Sequence, residues 1–398
     1  MAKPLSNTAD LARHAARNDG AASRPIARFH ADKVEITALA VDWNACAARA
    51  LTPVGTHLHP WLAAAFKHLR KSRRVRLLSL CRGHILGGGA LVEQFTWRWG
   101  FPCRAAGVWQ HALAFEGTPL IGEAGASQSI DTLLASHGGA VLLLDAIAAN
   151  GPFWDVLQER ALALGAPIAV LESRERAALR PKATYTEWFD GNFDRKRRKE
   201  YRRLRARLGE QGTLEHVQWT PDMPVQSWLD DLAVLEVRGW KGERGTALRQ
   251  NAAVMAALGE ALPALGAQGS LRFWKIALDG RPIAMMFAIA SGSKAWLGKI
   301  AYDESFAKYS PGVLLILDAT ESLIGEGRFD VIDSCAIPGH PMIDNIWRDR
   351  ITLVDVIVGR PLGSRHVFGM VVAAERMRRS LRVWAKTLFY SVTRRRQS

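Results

Sequence analysis

Three polar side chains near the end of one predicted strand could carry acid–base chemistry. In the segment FDVIDSCAIPGHPMIDNIWRDR, Asp333 and Ser334 end the strand and His340 follows in a Pro-Gly-His-Pro loop. Side chains at the carboxyl ends of strands in open α/β sheets meet ligands. A histidine titrates near neutral pH, so His340 is a candidate general base, Asp333 a candidate catalytic carboxylate and Ser334 a candidate substrate contact. Ser334 lacks the G-x-S-x-G pattern of a hydrolase nucleophile, which argues against a Ser-His-Asp triad.

A second stretch, AYDESFAKYSPGVLLILDATESL, predicts the end of a strand, a short loop and then a helix. Ser310 suits the N-cap because its hydroxyl can accept from the free amides of the first turn. Pro311 suits the first helical position because it has no amide to leave unpaired. Gly312 is a weak helix former, and the absence of a side chain there would let a ligand approach the helix amides closely. The sequence therefore predicts an accessible helix amino end with several unpaired N–H donors.

These residues must be positioned by a sheet with helices on its faces. From Val34 to Leu171 helix and strand patterns alternate, and the order repeats after a helix predicted from Asp194 to Leu208. In the second half, Asp279-Gly280 is a strong signal for a hairpin turn between two apolar strands. The sequence therefore predicts an α/β fold of two related halves, with mixed, mostly antiparallel sheets flanked by helices.

The chain divides into four predicted segments. A length of 398 residues exceeds what one core usually supports, so two domains are expected, joined by a connection over 172–192. The predicted segments are a flexible N-terminal segment at 1–30, a first α/β domain at 31–180, a second at 181–360 and a basic amphipathic segment at 361–398.

The charge of the protein narrows its partners. Fifty-three Lys and Arg residues against 38 Asp and Glu give a net charge of +15. This excess indicates a polyanionic partner, an anionic membrane surface or phosphorylated ligands. The four cysteines fit neither zinc spacings nor a disulfide framework, so no metal site is expected. The N-terminus lacks an apolar signal region and no apolar run is long enough to span a bilayer, so we expect a cytoplasmic protein.

Two stretches concentrate the positive charge. Most positions from Arg195 to Arg207 are Lys or Arg, while Tyr201, Leu204 and Leu208 recur at helical spacing as a narrow apolar stripe. This helix is expected to dock one face and leave the rest basic. The C-terminal segment is cationic and aromatic, and is typical of an amphipathic helix that rests on the inner membrane leaflet or covers the second domain. Neither stretch has a DNA-reading motif, so DNA is not an expected partner.

Residues Trp188 to Asp333 resemble a known family. The order of the basic helix, Trp240-Lys241-Gly242, a hairpin turning on LDGRPIA and then KIAYDESFAKYSPGVLLI is similar to the acetyltransferase domain of the CelD/BioF2-like group. That group belongs to the GNAT superfamily and is related to the FemABX aminoacyltransferases. The most specific portion is AYDESFAKYSPG. The first half resembles a degenerate GNAT-like domain of such tandem proteins.

The resemblance implies an acyl-CoA co-substrate, in the first instance acetyl-CoA. Its pyrophosphate would sit on the backbone amides at the start of the helix, with Tyr309, Ser310, Pro311, Gly312 and Val313 as the binding stretch. A helix amino end carries roughly half a positive charge, which agrees with an anionic ligand. The sequence departs from the usual Gln/Arg-x-x-Gly-x-Gly/Ala phosphate loop, which leaves the cofactor open, because FemABX relatives take their acyl group from charged tRNA.

Further roles follow from the same resemblance. Tyr302 and Tyr309 could protonate a departing thiolate, or pack against the sheet instead. Asp303 is a candidate base or ligand contact, with a turn residue as the alternative. Trp240 and Lys241 could line the acceptor cleft, or belong to a helix C-terminus.

The expected function is an acyl-CoA-dependent N- or O-acyltransferase of GNAT type. The CelD resemblance implies an envelope polysaccharide or its precursor as the acceptor. The basic helix would meet the 3′-phosphate of CoA, an anionic acceptor or tRNA, or simply remain solvated. An aminoacyl-tRNA-dependent transferase and a non-catalytic component of a polysaccharide synthesis complex are the alternatives. The cytoplasmic protein would contact the inner membrane, if at all, through its C-terminal basic segment.

Overall fold

The computed structural model describes residues 25–238 and 248–395, and within these residues thirteen strands form one sheet. The first half contributes short helices, a hairpin and two longer strands. Its elements are β1 (Ile26–His30), α1 (Lys33–Ala38), α2 (Ala40–Ala47), α3 (His59–Leu69), β2 (Val75–Arg82), β3 (Ile85–Phe95), β4 (Ala105–Val108), β5 (Leu120–Ile121), α4 (Ala126–Ser136), β6 (Val141–Ala148), α5 (Pro152–Ala163) and β7 (Ile168–Leu179).

The second half begins with two helices and ends with the longest one. Its elements are α6 (Tyr185–Asn192), α7 (Arg195–Gly209), β8 (Leu214–Gln218), α8 (Val225–Arg238), α9 (Ala252–Ala267), β9 (Leu271–Leu278), β10 (Arg281–Ser291), β11 (Lys294–Tyr302), α10 (Pro311–Gly325), β12 (Val331–Asp333), β13 (Asp349–Gly359) and α11 (Arg365–Arg395). The predicted hairpin is confirmed, since Asp279 and Gly280 both take the positive φ angles, 49° and 75°, that a tight hairpin turn requires.

The sheet is mixed and mostly antiparallel, and the predicted α/β class is confirmed. Its strand order is β1-β2-β3-β4-β6-β13-β7-β12-β11-β10-β9-β8, with β5 beside β3. Two pairs are parallel, β4 with β6 and β11 with β12. Each parallel pair is joined through a helix, α4 in the first half and α10 in the second. The two halves therefore repeat one strand–helix–strand unit within a continuous sheet.

The last strand crosses the division predicted from the sequence. Residues 181–360 were expected to form the second domain, but β13 lies between β6 and β7 and pairs antiparallel with both. Helix α3 of the first half also packs against α9, where Trp61 joins the apolar cluster of the second half. The halves therefore share both strands and core.

Three other expectations differ from the structure. Residues 26–30 form β1 rather than part of a flexible segment, while residues 1–24 lie outside the described residues. The predicted connection over 172–192 is mostly regular, because β7 continues to Leu179 and α6 follows. Helix α11 lies mainly on the first half, since Val371 and Val372 pack in a cluster with Leu143, and it meets the second half at Ile357 of β13.

Candidate functional site

A cavity of about 460 Å³ lies at the amino end of α10. Its walls come from the second half, namely the basic helix α7, the end of β11 with the turn that follows it, the start of α10 and the loop after β12. The lining residues are Arg197, Glu200, Tyr201, Leu204, Tyr302, Ala307, Ser310, Gly312, Val313, Pro341, Met342, Asn345 and Ile346. The structure thus brings Tyr302, Ser310, Gly312 and Val313 of the predicted site together around one space.

The helix begins where the sequence predicts, but its cap differs. Ser310 is the N-cap and Pro311 occupies the first turn. Ser310 has a left-handed backbone, with φ 52° and ψ 51°, and its side chain makes no capping hydrogen bond. The predicted hydroxyl cap is therefore wrong, because a capping residue needs an extended backbone to aim its oxygen at the first turn. The Ser310 side chain lines the cavity instead.

Fewer backbone donors are available at this helix start than the sequence predicts. The amides of Val313 and Leu314 both donate to the Ser310 carbonyl oxygen, at 3.0 and 3.2 Å. Pro311 has no N–H. Among the described residues, the Gly312 amide is the first-turn donor that has no hydrogen-bond acceptor. An anion here would therefore need side-chain donors and cations beside this single amide.

Gly312 is also required by packing. A Cβ atom built on this residue would lie 3.0 Å from Cδ1 of Tyr302 and 3.4 Å from the Met342 sulfur. At 3.0 Å the added Cβ would be closer to the Tyr302 ring than van der Waals contact allows, so the ring would have to move. The ring of Tyr302 therefore occupies the space beside Gly312 that the sequence analysis assigned to a ligand.

Helix α7 supplies the positive charge. Asp194 caps it by accepting from the Arg197 amide at 2.7 Å, and the predicted stripe of Tyr201, Leu204 and Leu208 is buried. On the same face, Nε of Arg197 donates to the Tyr201 hydroxyl at 2.9 Å, so its guanidinium stands at the cavity wall. The stripe signalled that α7 docks, but nothing in the local sequence indicated that it docks beside the α10 turn.

Two residues beside the cavity have structural contacts. Asp303 is buried and caps the short 3-10 turn at Glu304–Tyr309, with Oδ1 accepting from the Ser305 amide at 3.0 Å. Its other oxygen accepts from Arg281 at 3.0 Å. Asp303 therefore has the alternative role of a turn residue. Its side chain does not line the cavity. Tyr309 is buried with its ring against Phe306, outside the lining.

Asp333 does not line the 460 Å³ cavity. It pairs with the buried Arg176 guanidinium, and its Oδ1 accepts from the Cys335 amide at 2.8 Å. Burial, reinforced by the Glu116 carboxylate and opposed by Arg176, raises the pKa of Asp333 to about 6. In the parallel pairing Asp333 stands opposite Trp296, six residues before Tyr302 on β11. At ~3.3 Å per residue the two side chains are about 20 Å apart, so they do not act on the same atom.

A second cavity of about 210 Å³ adjoins Asp333 between the two halves. Trp296, which also lines it, donates through Nε1 to the Glu116 carboxylate at 3.0 Å. Arg180, Lys294 and Arg350 bring positive charge to the same walls. This cavity could not be predicted from the sequence because its residues come from strands in both halves.

His340 and Ser334 stand at the loop after β12. Nδ1 of His340 accepts from the Met342 amide at 3.3 Å, so the neutral ring carries its proton on Nε2. In this tautomer His340 presents a donor, whereas the predicted base role requires Nε2 to be free of its proton. The Ser334 hydroxyl is buried and accepts from the Ala336 amide at 3.2 Å. Neither residue lines the 460 Å³ cavity, although Pro341 and Met342 do.

Some expectations fall outside these observations. Trp240 and Lys241, the predicted acceptor contacts, lie outside the described residues. Over residues 25–238 and 248–395, no three His, Cys, Asp or Glu side chains are grouped so that they could hold a metal ion. The helices of those ranges include none with the length and apolarity needed to cross a membrane.

Part of the chain that forms the cavity is similar to a known protein family. Residues 195–339, from α7 to the loop before His340, match the family model described as acetyltransferase (GNAT) domain. The second half is therefore similar to a GNAT domain over residues 195–339. The matched range contains α7, β11 and the start of α10, which together form most of the cavity wall. The sequence matches no curated protein.

Two solved structures of low sequence identity share the fold over most of the chain, and a third overlays less well. FemX overlays with a TM-score of 0.54 at 11% identity, covering 83% of this chain and 96% of that one. The C-terminal domain of an Agrobacterium fabrum protein described as a lysylphosphatidylglycerol synthetase also gives 0.54, at 12% identity and with 86% and 96% covered. A tandem GNAT protein from the clavulanic acid biosynthesis pathway gives 0.40 at 13% identity, with 83% and 98% covered. The first two similarities support the tandem fold across both halves.

Proposed function

We propose that this protein transfers an acyl group from acyl-CoA to an amine or hydroxyl acceptor. One observation carries the proposal. The helix start expected to bind phosphate and the basic helix expected to meet an anionic ligand are about 100 residues apart in sequence, yet both line one cavity. That cavity lies within the range that matches the GNAT domain model.

The residues of the cavity suit a phosphorylated ligand. Arg197 provides a guanidinium, Gly312 a backbone amide without an acceptor, and Ser310 a hydroxyl. Charge-assisted hydrogen bonds from a guanidinium are the strong contacts to phosphate, and the helix dipole of α10 adds favourable potential. We propose that these three groups hold the diphosphate end of acyl-CoA, with Tyr309, Pro311 and Val313 shaping the turn.

The chemistry requires proton movement at two atoms. Acyl-CoA supplies a thioester; the acceptor nitrogen or oxygen bonds to its carbonyl carbon, the carbon–sulfur bond breaks, and the acceptor loses a proton while the thiolate gains one. Tyr302, which lines the cavity with a half-buried ring, is the proposed proton donor to the thiolate. His340 remains the proposed base on the acceptor side, which requires the tautomer protonated on Nδ1, whereas Asp333 is too far from Tyr302 to serve the same carbonyl carbon.

The acceptor rests on the sequence resemblance alone. Similarity to the CelD/BioF2-like group, strongest over AYDESFAKYSPG, suggests an envelope polysaccharide or its precursor. We propose Ser334, Trp240 and Lys241 as the acceptor contacts.

A second candidate function, aminoacyl-tRNA-dependent transfer, is favoured by the outer face of α7. Five of its cationic side chains are exposed and make no hydrogen bond or ion pair with any described residue. They are Arg195, Lys196, Lys199, Arg202 and Arg207. Such a face suits the phosphates of a nucleic acid, and its binding would be strongly salt-dependent.

Thermal unfolding in the presence of acetyl-CoA, longer acyl-CoAs, CoA alone and charged tRNA tests these functions. A ligand that binds only the native state raises its stability by ~2.7 kcal/mol at one hundred times its Kd, so acyl-CoA should raise Tm by several degrees. A thiol-release assay then follows turnover, in which His340→Ala is expected to lower kcat more than acyl-CoA affinity. Stabilisation by tRNA alone would replace the CoA proposal with its rival. If no ligand raises Tm and no thioester is consumed, the remaining function is that of a non-catalytic component of a polysaccharide synthesis complex.

A further inference from the structure

The C-terminal helix α11 is fixed to the first half by one face. Phe368, Val371 and Val372 pack against Leu143 and Ile357 of the sheet, and Val371 is 1% exposed. The positions recur at three- and four-residue intervals, so they form one stripe along the helix.

Ion pairs fix the rotation of α11 about its axis. Glu375 is fully buried and accepts from Arg98 at 3.1 Å and from Trp99 Nε1 at 2.8 Å. Although burial acts to raise it, hydrogen bonds from Arg378 and Arg98 hold the pKa of Glu375 well below its ordinary value. Arg379, one turn later, reaches Asp145 at 2.6 Å. A helix held by buried charges cannot turn its other face inward without breaking them.

The opposite face carries an apolar stripe whose residues belong to none of the core clusters of the described residues. Met370, Met377, Leu381 and Trp384 are 60%, 63%, 57% and 66% exposed. At 100° per residue these four lie within about 60° of one another and roughly opposite Glu375. We call these four residues the outer stripe. Monomeric proteins rarely expose several large apolar side chains in one line, so the outer stripe indicates a binding surface.

The charges around the outer stripe point to an anionic partner. Helix α11 carries eight Lys and Arg residues and one acidic residue, the buried Glu375. Arg376 is exposed on one flank of the helix, and Arg382, which makes no hydrogen bond or ion pair within the described part of the chain, is exposed on the polar side that also carries Glu375. The protein as a whole has a charge of +15. A cationic helix with Trp, Leu and Met on one face is typical of helices that lie in the surface of a bilayer.

We propose that the outer stripe of α11 inserts into the surface of a bilayer that contains anionic lipids. A second copy of the chain fits this face less well. Two copies packed through this face would bring together two helices that each carry eight Lys and Arg residues and a single acidic residue, the buried Glu375, so their charges would repel. A bilayer with anionic lipids instead presents a negative surface, which attracts the cationic residues of α11.

Vesicle co-sedimentation of the full chain tests the proposal. Binding should be weak with phosphatidylcholine and increase about tenfold when roughly one third of the lipid is phosphatidylglycerol. The double variant Leu381→Ser/Trp384→Ser should lose about tenfold in partitioning. Leu162→Ser is the matched control, because Leu162 is an 85% exposed leucine on helix α5, away from α11, and it should bind like the unmodified protein.

Circular dichroism and Tm establish that the double variant is folded, since the outer stripe makes no core contacts. Equal sedimentation of the double variant and the Leu162→Ser control would overturn the proposal. Equal binding to neutral and anionic vesicles would overturn its electrostatic part. A dimer in light scattering that the double variant abolishes would assign the stripe to a second copy. Acyl-CoA binding is measured separately, so failure here leaves the proposed function untouched.

Discussion

Gly312 is important to the candidate site because it has no side chain. It is buried at the first turn of α10, with the Tyr302 ring against its α-carbon and its amide without an acceptor among the described residues. Any side chain at this position must displace Tyr302, and because Tyr302 lines the cavity, the displaced ring would move into the space proposed for the ligand.

Replacing Gly312 with valine is expected to weaken acyl-CoA binding about tenfold, with a Tm change of only a few degrees, because valine forms helix better than glycine and offsets part of the repacking cost. Isothermal titration with acetyl-CoA measures the affinity. Gly325→Val is the control, since Gly325 is in the same helix, exposed, and a Cβ there meets no atom within 4 Å. Equal affinity in the two variants would remove the α10 turn from the binding site.

Residue-scale prediction from sequence succeeded where the signal was local. Ser310-Pro311-Gly312 marks a helix start by backbone preference alone, and the helix begins there. The partner of Asp333, by contrast, is Arg176, which is 157 residues away, so no spacing rule could have indicated an ion pair. The tautomer of His340 depends on the Met342 amide, which the loop alone positions.

At the scale of elements, α7 has two faces with different expected functions. Arg197 and Tyr201 stand on the docked face beside the cavity, while Lys196, Lys199 and Arg202 are exposed and do not line it. A helix that served only CoA would need the first face, and one that served a nucleic acid would need the second.

Charge removal on each face separates the two functions. Arg197→Gln is expected to weaken acyl-CoA binding about tenfold because it removes a charge-assisted hydrogen bond from the cavity wall. The triple variant Lys196→Gln/Lys199→Gln/Arg202→Gln should change that affinity by less than about twofold, because exposed charges outside the cavity are screened. Titration at two salt concentrations measures both. A loss of tRNA binding confined to the triple variant, with no CoA effect in either, would favour the aminoacyl-tRNA reading.

Strands that pair with a neighbour in sequence could be predicted, whereas the pairing of strands far apart in sequence could not. The strands β9 and β10 meet through a two-residue turn, and the Asp279-Gly280 signal identified them. Strand β13 follows a loop and pairs with β6 and β7, about 200 residues earlier, so its apolar run gave no indication of its neighbours. The walls of both cavities depend on such long-range pairings, which explains why Asn345 and Glu116 were not found.

For the molecule as a whole, β13 makes the first half dependent on the end of the chain. It fills the gap between β6 and β7, and its Val356 and Ile357 are fully buried. Without it, β6 and β7 would each have an unpaired edge.

A chain that ends at Arg348 is expected to be largely insoluble, whereas one that ends at Arg360 should keep a cooperative fold of lower stability. Both lack α11, so the difference between them isolates β13. Soluble yield, circular dichroism and urea unfolding followed by tryptophan fluorescence measure the outcome. A chain ending at Arg348 that unfolds as cooperatively as the longer one would show that the first half closes without β13.

The position of β13 in the sheet also determines when the first half can complete its folding during synthesis. While the ribosome is still adding the second half, β6 and β7 have emerged with no strand between them, and they stay so until residue 359 has left the exit tunnel. Unpaired strand edges of this kind associate with other nascent chains. This protein should therefore depend on chaperones that shield its early segments until translation is nearly finished.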